Sequence, residues 1–172
     1  MRILHIDPAA TWRGGERQVF LLARELERRG HESPVAAAPG GKLLARLRGA
    51  GLSVRPLAIR GDLDPAAVWR VSRLLRRVRP DVLHLHTSRA HGAAGLGARL
   101  AGYHPVLVTR RLELPVRGVL SRWKYRRLAD HYVAISRAVE ESLTAGGVAP
   151  RKVSLVPTRP TTAVWGRLPR QK

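Results

Sequence analysis

The sequence predicts an α/β domain: a Rossmann-like, three-layer arrangement in which a mostly parallel sheet of about seven strands is covered by helices on both faces. Three observations carry that prediction. Short strand-like runs alternate with segments of helical periodicity along the chain, from "RILHID" at residues 2–7 to "KVSLVP" at residues 152–157. Those runs are apolar almost throughout, as strands buried on both faces are. A length of 172 residues with 44% hydrophobic content is enough for a single domain with one sizeable core.

Taken in order, "RILHID" is a β run, followed by a loop and a helix over 16–29, in which Val19, Leu22 and Leu26 recur at helical spacing and Gly30 is a natural stop. "SPVAAA" reads as the second strand and "KLLARLRGAG" as a short helix ended by Gly51. "SVRPLAI" is the third strand, and Pro56 places it at an edge or bulge. The next helix is the best defined, with Asp64 at the N-cap, Pro65 at the first helical position, and Val68, Val71, Leu74, Leu75 and Val78 on one face. "DVLHLH" is a strand, "RAHGAAGLGARLAG" a small-residue helix and "PVLVT" a strand. A basic helix over 121–129 precedes the strand "HYVAIS", the helix "RAVEESLTAGG" and the last strand "KVSLVP". No internal repeat or low-complexity tract is present.

Composition narrows the function. The absence of cysteine removes disulfides and thiolate metal sites, and fits a reducing compartment. No run approaches the ~20 apolar residues of a membrane span or the h-region of a signal peptide, so a cytoplasmic location is expected. The 32 Lys+Arg against 12 Asp+Glu give a net charge of +20. That charge draws nucleic acid, anionic membranes or phosphorylated ligands, and equally describes a solvated arginine-rich surface.

In doubly covered parallel sheets, ligands sit at the carboxyl ends of the strands. The candidates there are the Gly14–Gly15–Glu16 loop, His84 and His86, His91, Arg110 and Arg111, and Ser136. A glycine pair before a helix lets backbone N–H groups face a phosphate, or marks a turn that needs positive φ. "GGERQ" is neither the G-x-G-x-x-G dinucleotide pattern nor a P-loop. His84 and His86 alternate and so share a face, as a site or a packed strand would show. With His91 they make three histidines within eight residues, but with no recognisable zinc-ligand spacing; neither a metal nor another cofactor is expected.

Taken together and in order, "RILHIDP…GGERQVFLLARELERRGHE", "RPDVLHLHTSRAHGAAGLGARLAG", "VLVTRR" and "SRWKYRRLADHYVAISRAVEESLTAGGVAPRKVSLVP" resemble the N-terminal half of a family 4 glycosyltransferase of the GT-B fold. The resemblance covers residues 2 to 157. It implies two Rossmann-like domains facing each other across a cleft, with the acceptor on the N-terminal one and the nucleotide-sugar on the C-terminal one. It implies transfer of a sugar from a nucleotide-sugar to a lipid, lipopolysaccharide or polysaccharide acceptor of the cell envelope. The loop matching Gly14 and Gly15 would face the cleft, with Glu16 a favourable first-turn carboxylate. Many members carry a histidine after the strand matching "VLVT". Here that place reads Thr109–Arg110–Arg111, so Arg110 and Arg111 would hold a phosphate or sugar hydroxyl through paired N–H donors. Acid–base help would fall to His86 or His91.

Residues 117–127 interleave Arg117, Arg122, Lys124, Arg126 and Arg127 with Trp123 and Tyr125. That pattern suits an anionic membrane face, where the protein would sit peripherally, or the head group of a lipid-linked acceptor. The same residues also describe an ordinary helix with Leu120, Trp123 and Leu128 packed inward. Nucleic acid ranks last as a partner, for want of any recognised motif. Residues 1–157 thus form the predicted acceptor-side domain. Residues 158–172, "TRPTTAVWGRLPRQK", lack a periodic apolar face and read as an irregular, disordered tail where the family continues into its donor domain. The expected consequence is a half-enzyme inactive by itself. The alternatives are a non-catalytic basic protein that binds anionic membrane or nucleic acid, and another GT-B architecture such as a nucleotide-sugar epimerase.

Overall fold

The computed structural model describes residues 1–113 and 115–157. The elements follow in the order β1 (Ile3–Asp7), α1 (Gly14–Arg28), β2 (Val35–Ala37), α2 (Lys42–Gly49), β3 (Val54–Pro56), α3 (Pro65–Val78), β4 (Val82–Leu85), α4 (Ser88–Leu100), β5 (Val106–Arg110), α5 (Val119–Arg127), β6 (His131–Ala134), α6 (Arg137–Ala145) and β7 (Val153–Leu155). The seven strands form one sheet in the order β3-β2-β1-β4-β5-β6-β7, and every pairing is parallel. The strand order reverses direction between β1 and β4, so the mouth of the sheet opens beside those two strands. The tail over 158–172 lies outside the described residues.

Alternation along the strands sorts the core. Leu4 and Ile6 of β1, Leu83 and Leu85 of β4, and Val106 and Val108 of β5 point to one face, where they pack with Val71 and Leu75 of α3, Ala94 of α4, Tyr125 of α5 and Leu143 of α6. The opposite face is covered by α1 and α2, which bury Val19, Ala23, Leu43 and Leu47 against Val35 and Ala37 of β2. Further along that second face, Leu107 of β5 and Val133 of β6 stay partly exposed. His5 pairs with His84 in the β1–β4 register, so these two rings and His86 all face the α1 side.

Local rules explain the borders. Asp64 caps α3, its carboxylate accepting from the Ala67 N–H at 3.0 Å, with Pro65 in the first turn. Thr87 and Ser136 do the same for α4 and α6, accepting from Ala90 and Val139. Gly30 (φ 81°) and Gly51 (φ 73°) take the left-handed conformation just past α1 and α2, as their sequence positions predict. Pro56 sits in β3, an edge strand. The small residues of α4 have a packing reason: a Cβ on Gly97 would lie 2.8 Å from the Val68 carbonyl oxygen, so α3 and α4 touch backbone to side chain.

Candidate active site

A cavity of about 500 Å³ opens at the carboxyl ends of β4 and β5, bounded by the start of α1 and by α5. Gly15, Glu16, His86, His91, Arg110 and Arg111 all line it, so most of the residues singled out in the sequence converge. Lys124 and Tyr125 close its far side.

The glycine pair resolves into two unequal positions. Neither Gly14 nor Gly15 has positive φ, so the turn reading does not hold; both belong to the first turn of α1. A Cβ on Gly14 would meet open space. A Cβ on Gly15 would lie 2.8 Å from a guanidinium nitrogen of Arg111. What comes close to this helix start is therefore a side chain of the protein itself. Arg111 lies across Gly15 with its Nε donating to Gln18 Oε1 at 3.0 Å and an Nη donating to the His86 carbonyl at 3.1 Å. Its other terminal nitrogen is 3.2 Å from His86 Nδ1. Burial lowers its pKa, opposed by the Asp7 and Glu16 carboxylates nearby. Glu16 is buried and accepts from the Arg13 N–H at 2.6 Å, closing the first turn of α1 as well as lining the cavity.

The histidines divide into two groups. His5, His84 and His86 are buried together; His5 Nδ1 lies 3.0 Å from His86 Nε2, and His84 Nε2 lies 2.7 Å from the Thr109 hydroxyl. Burial holds His84 and His86 well below the usual imidazole pKa and brings His5 down to about 4, so all three are neutral at pH 7. An arginine N–H directed at His86 Nδ1 needs a lone pair there, which puts the His86 proton on Nε2, toward His5. His86 can act as a base only once Arg111 moves aside. His91 sits on the other side of the sheet, fully buried, edge-on to Tyr125 and Tyr132 and 3.2 Å from the Tyr132 hydroxyl. Burial, with Lys124 and Arg110 nearby, lowers its pKa to about 3.

Arg110 and Arg111 leave β5 toward opposite faces. Arg110 lies over the Tyr125 ring, 4.7 Å from its centroid, and donates to the Leu112 carbonyl at 3.0 Å. Ser136 is the N-cap of α6, with its hydroxyl 3.4 Å from a Glu113 oxygen, and stands outside the lining of this cavity. Sequence reasoning missed Tyr125 as a lining residue, and also Gln18 and Asp62, which stand outside the lining and hold Arg111 and Lys124 in place. Each is brought in by tertiary contact: Asp62, far upstream in the chain, accepts from Lys124 Nζ at 2.5 Å.

The basic segment corrects two readings. Leu120 is 60% and Trp123 44% exposed, so the inward face expected from Leu120, Trp123 and Leu128 is formed instead by Tyr125 and Leu128. Lys124 is tied to Asp62 and Ser88 and turned toward the cavity, so it does not belong to the outward patch. Arg122, Trp123, Arg126 and Arg127 do face outward. Trp123 and Leu120 border a second cavity of about 400 Å³, floored by Gly92 and Leu96. No described helix is long and apolar enough to cross a membrane.

Comparison with known proteins places the fold. Anabaena Alr3699/HepE, solved in complex with UDP, is similar to the chain at TM-score 0.73 and 16% identity, over 91% of this chain and 44% of that one. The apo lipopolysaccharide outer core galactosyltransferase WaaB is similar at TM-score 0.69 and 15% identity, over 91% and 45%. The UDP-GlcNAc 2-epimerase from Neisseria meningitidis bound to UDP-GlcNAc follows at TM-score 0.64 and 16% identity, over 90% and 45%. No curated protein sequence matches the chain. The chain thus spans about 44% of the length of Alr3699/HepE, the share of an N-terminal GT-B half. The model of Glycosyltransferase Family 4 matches residues 12–158, and with that match the chain belongs to Glycosyltransferase Family 4.

Proposed function

We propose that these residues form the acceptor-side half of an enzyme that moves a sugar from a nucleoside-diphosphate sugar to a lipid-linked or glycan acceptor of the cell envelope. The observation that carries the reading is Arg111 laid over Gly15 at the mouth of the sheet, beside the N–H groups that begin α1. A guanidinium beside the positive end of a helix is a diphosphate-binding arrangement, and burial strengthens each of its hydrogen bonds. UDP and UDP-sugar complexes of the structurally similar proteins support the choice of donor class.

In this reading Arg111 meets the phosphates, Arg110 and Lys124 hold hydroxyl or phosphate oxygens of the acceptor, and His86 accepts a proton once Arg111 has turned to the ligand. His91, neutral and buried under Tyr125, positions the cavity floor. The exposed Val119, Leu120 and Trp123, framed by Arg117, Arg122, Arg126 and Arg127, favour delivery of the acceptor from an anionic membrane surface.

The test has two parts. Titration of the 172-residue chain with UDP should perturb the Arg111 and Gly15 resonances, and Arg111→Gln should weaken that binding about tenfold, the worth of a charged hydrogen bond. Labelled UDP-, GDP- and ADP-sugars with a lipid extract should show no transfer by the 172 residues alone. Joined to a Family 4 donor domain, they should show transfer. UDP binding that ignores Arg111→Gln would overturn the assignment of the phosphate site.

A further inference from the structure

Three imidazoles meet where no single stretch of sequence brings them together. His5 comes from β1, His84 and His86 from β4, and one ring nitrogen of each lies within 4.8 Å of the other two. All three are buried, at 0%, 7% and 3% exposure. Neutral imidazole nitrogens are donors for zinc and its neighbours in the transition series. Zinc bonds of about 2.0–2.1 Å place tetrahedral ligand nitrogens about 3.3 Å apart. The His5 Nδ1 to His86 Nε2 separation of 3.0 Å already has that scale.

The hydrogen bonding of the triad leaves a defect. With Arg111 donating to His86 Nδ1, the His86 proton is directed at His5 Nδ1, and the His5 proton is left on Nε2. That atom is buried and has no partner among the described residues. With its proton on Nε2, the His5 ring keeps the Nδ1 lone pair that a metal would take. The Thr109 hydroxyl, 2.7 Å from His84 Nε2, can accept the N–H there and leave the Nδ1 lone pair of that ring for a metal, as outer partners of metal-bound histidines set both tautomer and orientation.

We propose that His5, His84 and His86 form a three-nitrogen site for Zn2+, in competition with Arg111 for His86. Binding needs no net proton release: the His86 proton moves from Nε2 to Nδ1, and Nε2 turns its lone pair to the metal. Arg111 must then leave, because two N–H donors cannot face each other. The cation enters from the large cavity, which His86 and Arg111 both border. The carboxylates of Asp7 and Glu16, close enough to act on Arg111, balance part of the added charge. The fourth coordination position is left to water. This site does not depend on the sugar-transfer reading, since it requires neither sugar nor nucleotide.

The experiment is a Zn2+ titration of the metal-stripped 172-residue chain, followed by imidazole 15N shifts and by calorimetry, with Mg2+ as a control. The expected result is one Zn2+ per chain, with large shifts at His5, His84 and His86. His31, His104 and His131 should be undisturbed at the first equivalent. Arg111→Gln should tighten binding about tenfold, and Mg2+ should not bind. His84→Gln should abolish the first equivalent; should that variant fail to fold, the ring shifts of the wild-type chain decide alone. Zn2+ that perturbs only His31, His104 and His131, or binding unchanged in Arg111→Gln, overturns the proposal.

Discussion

At Gly15 a single missing carbon sets the position of a charge. Gly15→Ala would push a methyl to within 2.8 Å of Arg111, the flexible end of a long side chain, so the guanidinium should swing away while the fold persists. The expected outcome is a change in melting temperature of a few degrees at most, with UDP binding weakened to the level of Arg111→Gln. Gly14→Ala, facing open space, should change neither, which calorimetry on the pair would show. Ser136 offers a second check. As the cap of α6, its replacement by Ala should cost about 1 kcal/mol of stability and leave UDP binding intact, measured by thermal denaturation and the same titration. The sequence showed that Gly15 lies at the mouth of the sheet, because a glycine pair followed by a helix sits after the first strand. It could not show which group fills the space, because Arg111 is far away in the chain and reaches Gly15 only once β5 is in place.

The elements themselves were legible in order, since each carries its own local signal: the Asp64–Pro65 start of α3, the glycines past α1 and α2, and Pro56 at the edge. The exception is α5. Its apolar residues lack a clean face, and Tyr125 takes the inward position through its stacking with Tyr132, a partner that no periodicity reveals. That exchange leaves Leu120 and Trp123 outside among arginines. Phosphatidylglycerol vesicles should therefore bind the chain at low salt and lose it as salt screens the attraction beyond about 8 Å. Replacing Arg122, Arg126 and Arg127 by Gln should remove most of that binding, at roughly 1 kcal/mol for each residue near the surface. Lys124→Gln should remove little of it, because Lys124 is engaged with Asp62; vesicle sedimentation distinguishes the two.

For the whole molecule, the buried histidines set the response to acid. Their folded-state pKa values lie below the ordinary 6.5, so the unfolded chain binds more protons as pH falls, and stability is complete only above that value. His5, lowered to about 4, and His91, lowered to about 3, each withdraw stability from pH 6.5 down to those values. The loss is on the order of 1 kcal/mol per pH unit for each ring. Asp7 works the other way: burial raises it to about 6, so the folded chain takes its proton first, which adds stability as pH falls from 6 toward 4. With His84 and His86 also held low, the histidines prevail. Denaturant midpoints should drop steadily from pH 7 to pH 4, and His91→Phe should flatten part of that slope. The parallel pairing of β1 with β4 carries one more consequence, in time. His5 stands beside His84 at the centre of the sheet, 79 positions later in the chain. At roughly 5–20 residues per second on the ribosome, the first strand waits about 4–16 seconds for its central neighbour. During that interval β2 and β3, with α1 and α2 on one face and α3 on the other, are what can shelter it. A nascent chain arrested before β4 should accordingly be cut by protease in β1, while one arrested beyond β5 should resist.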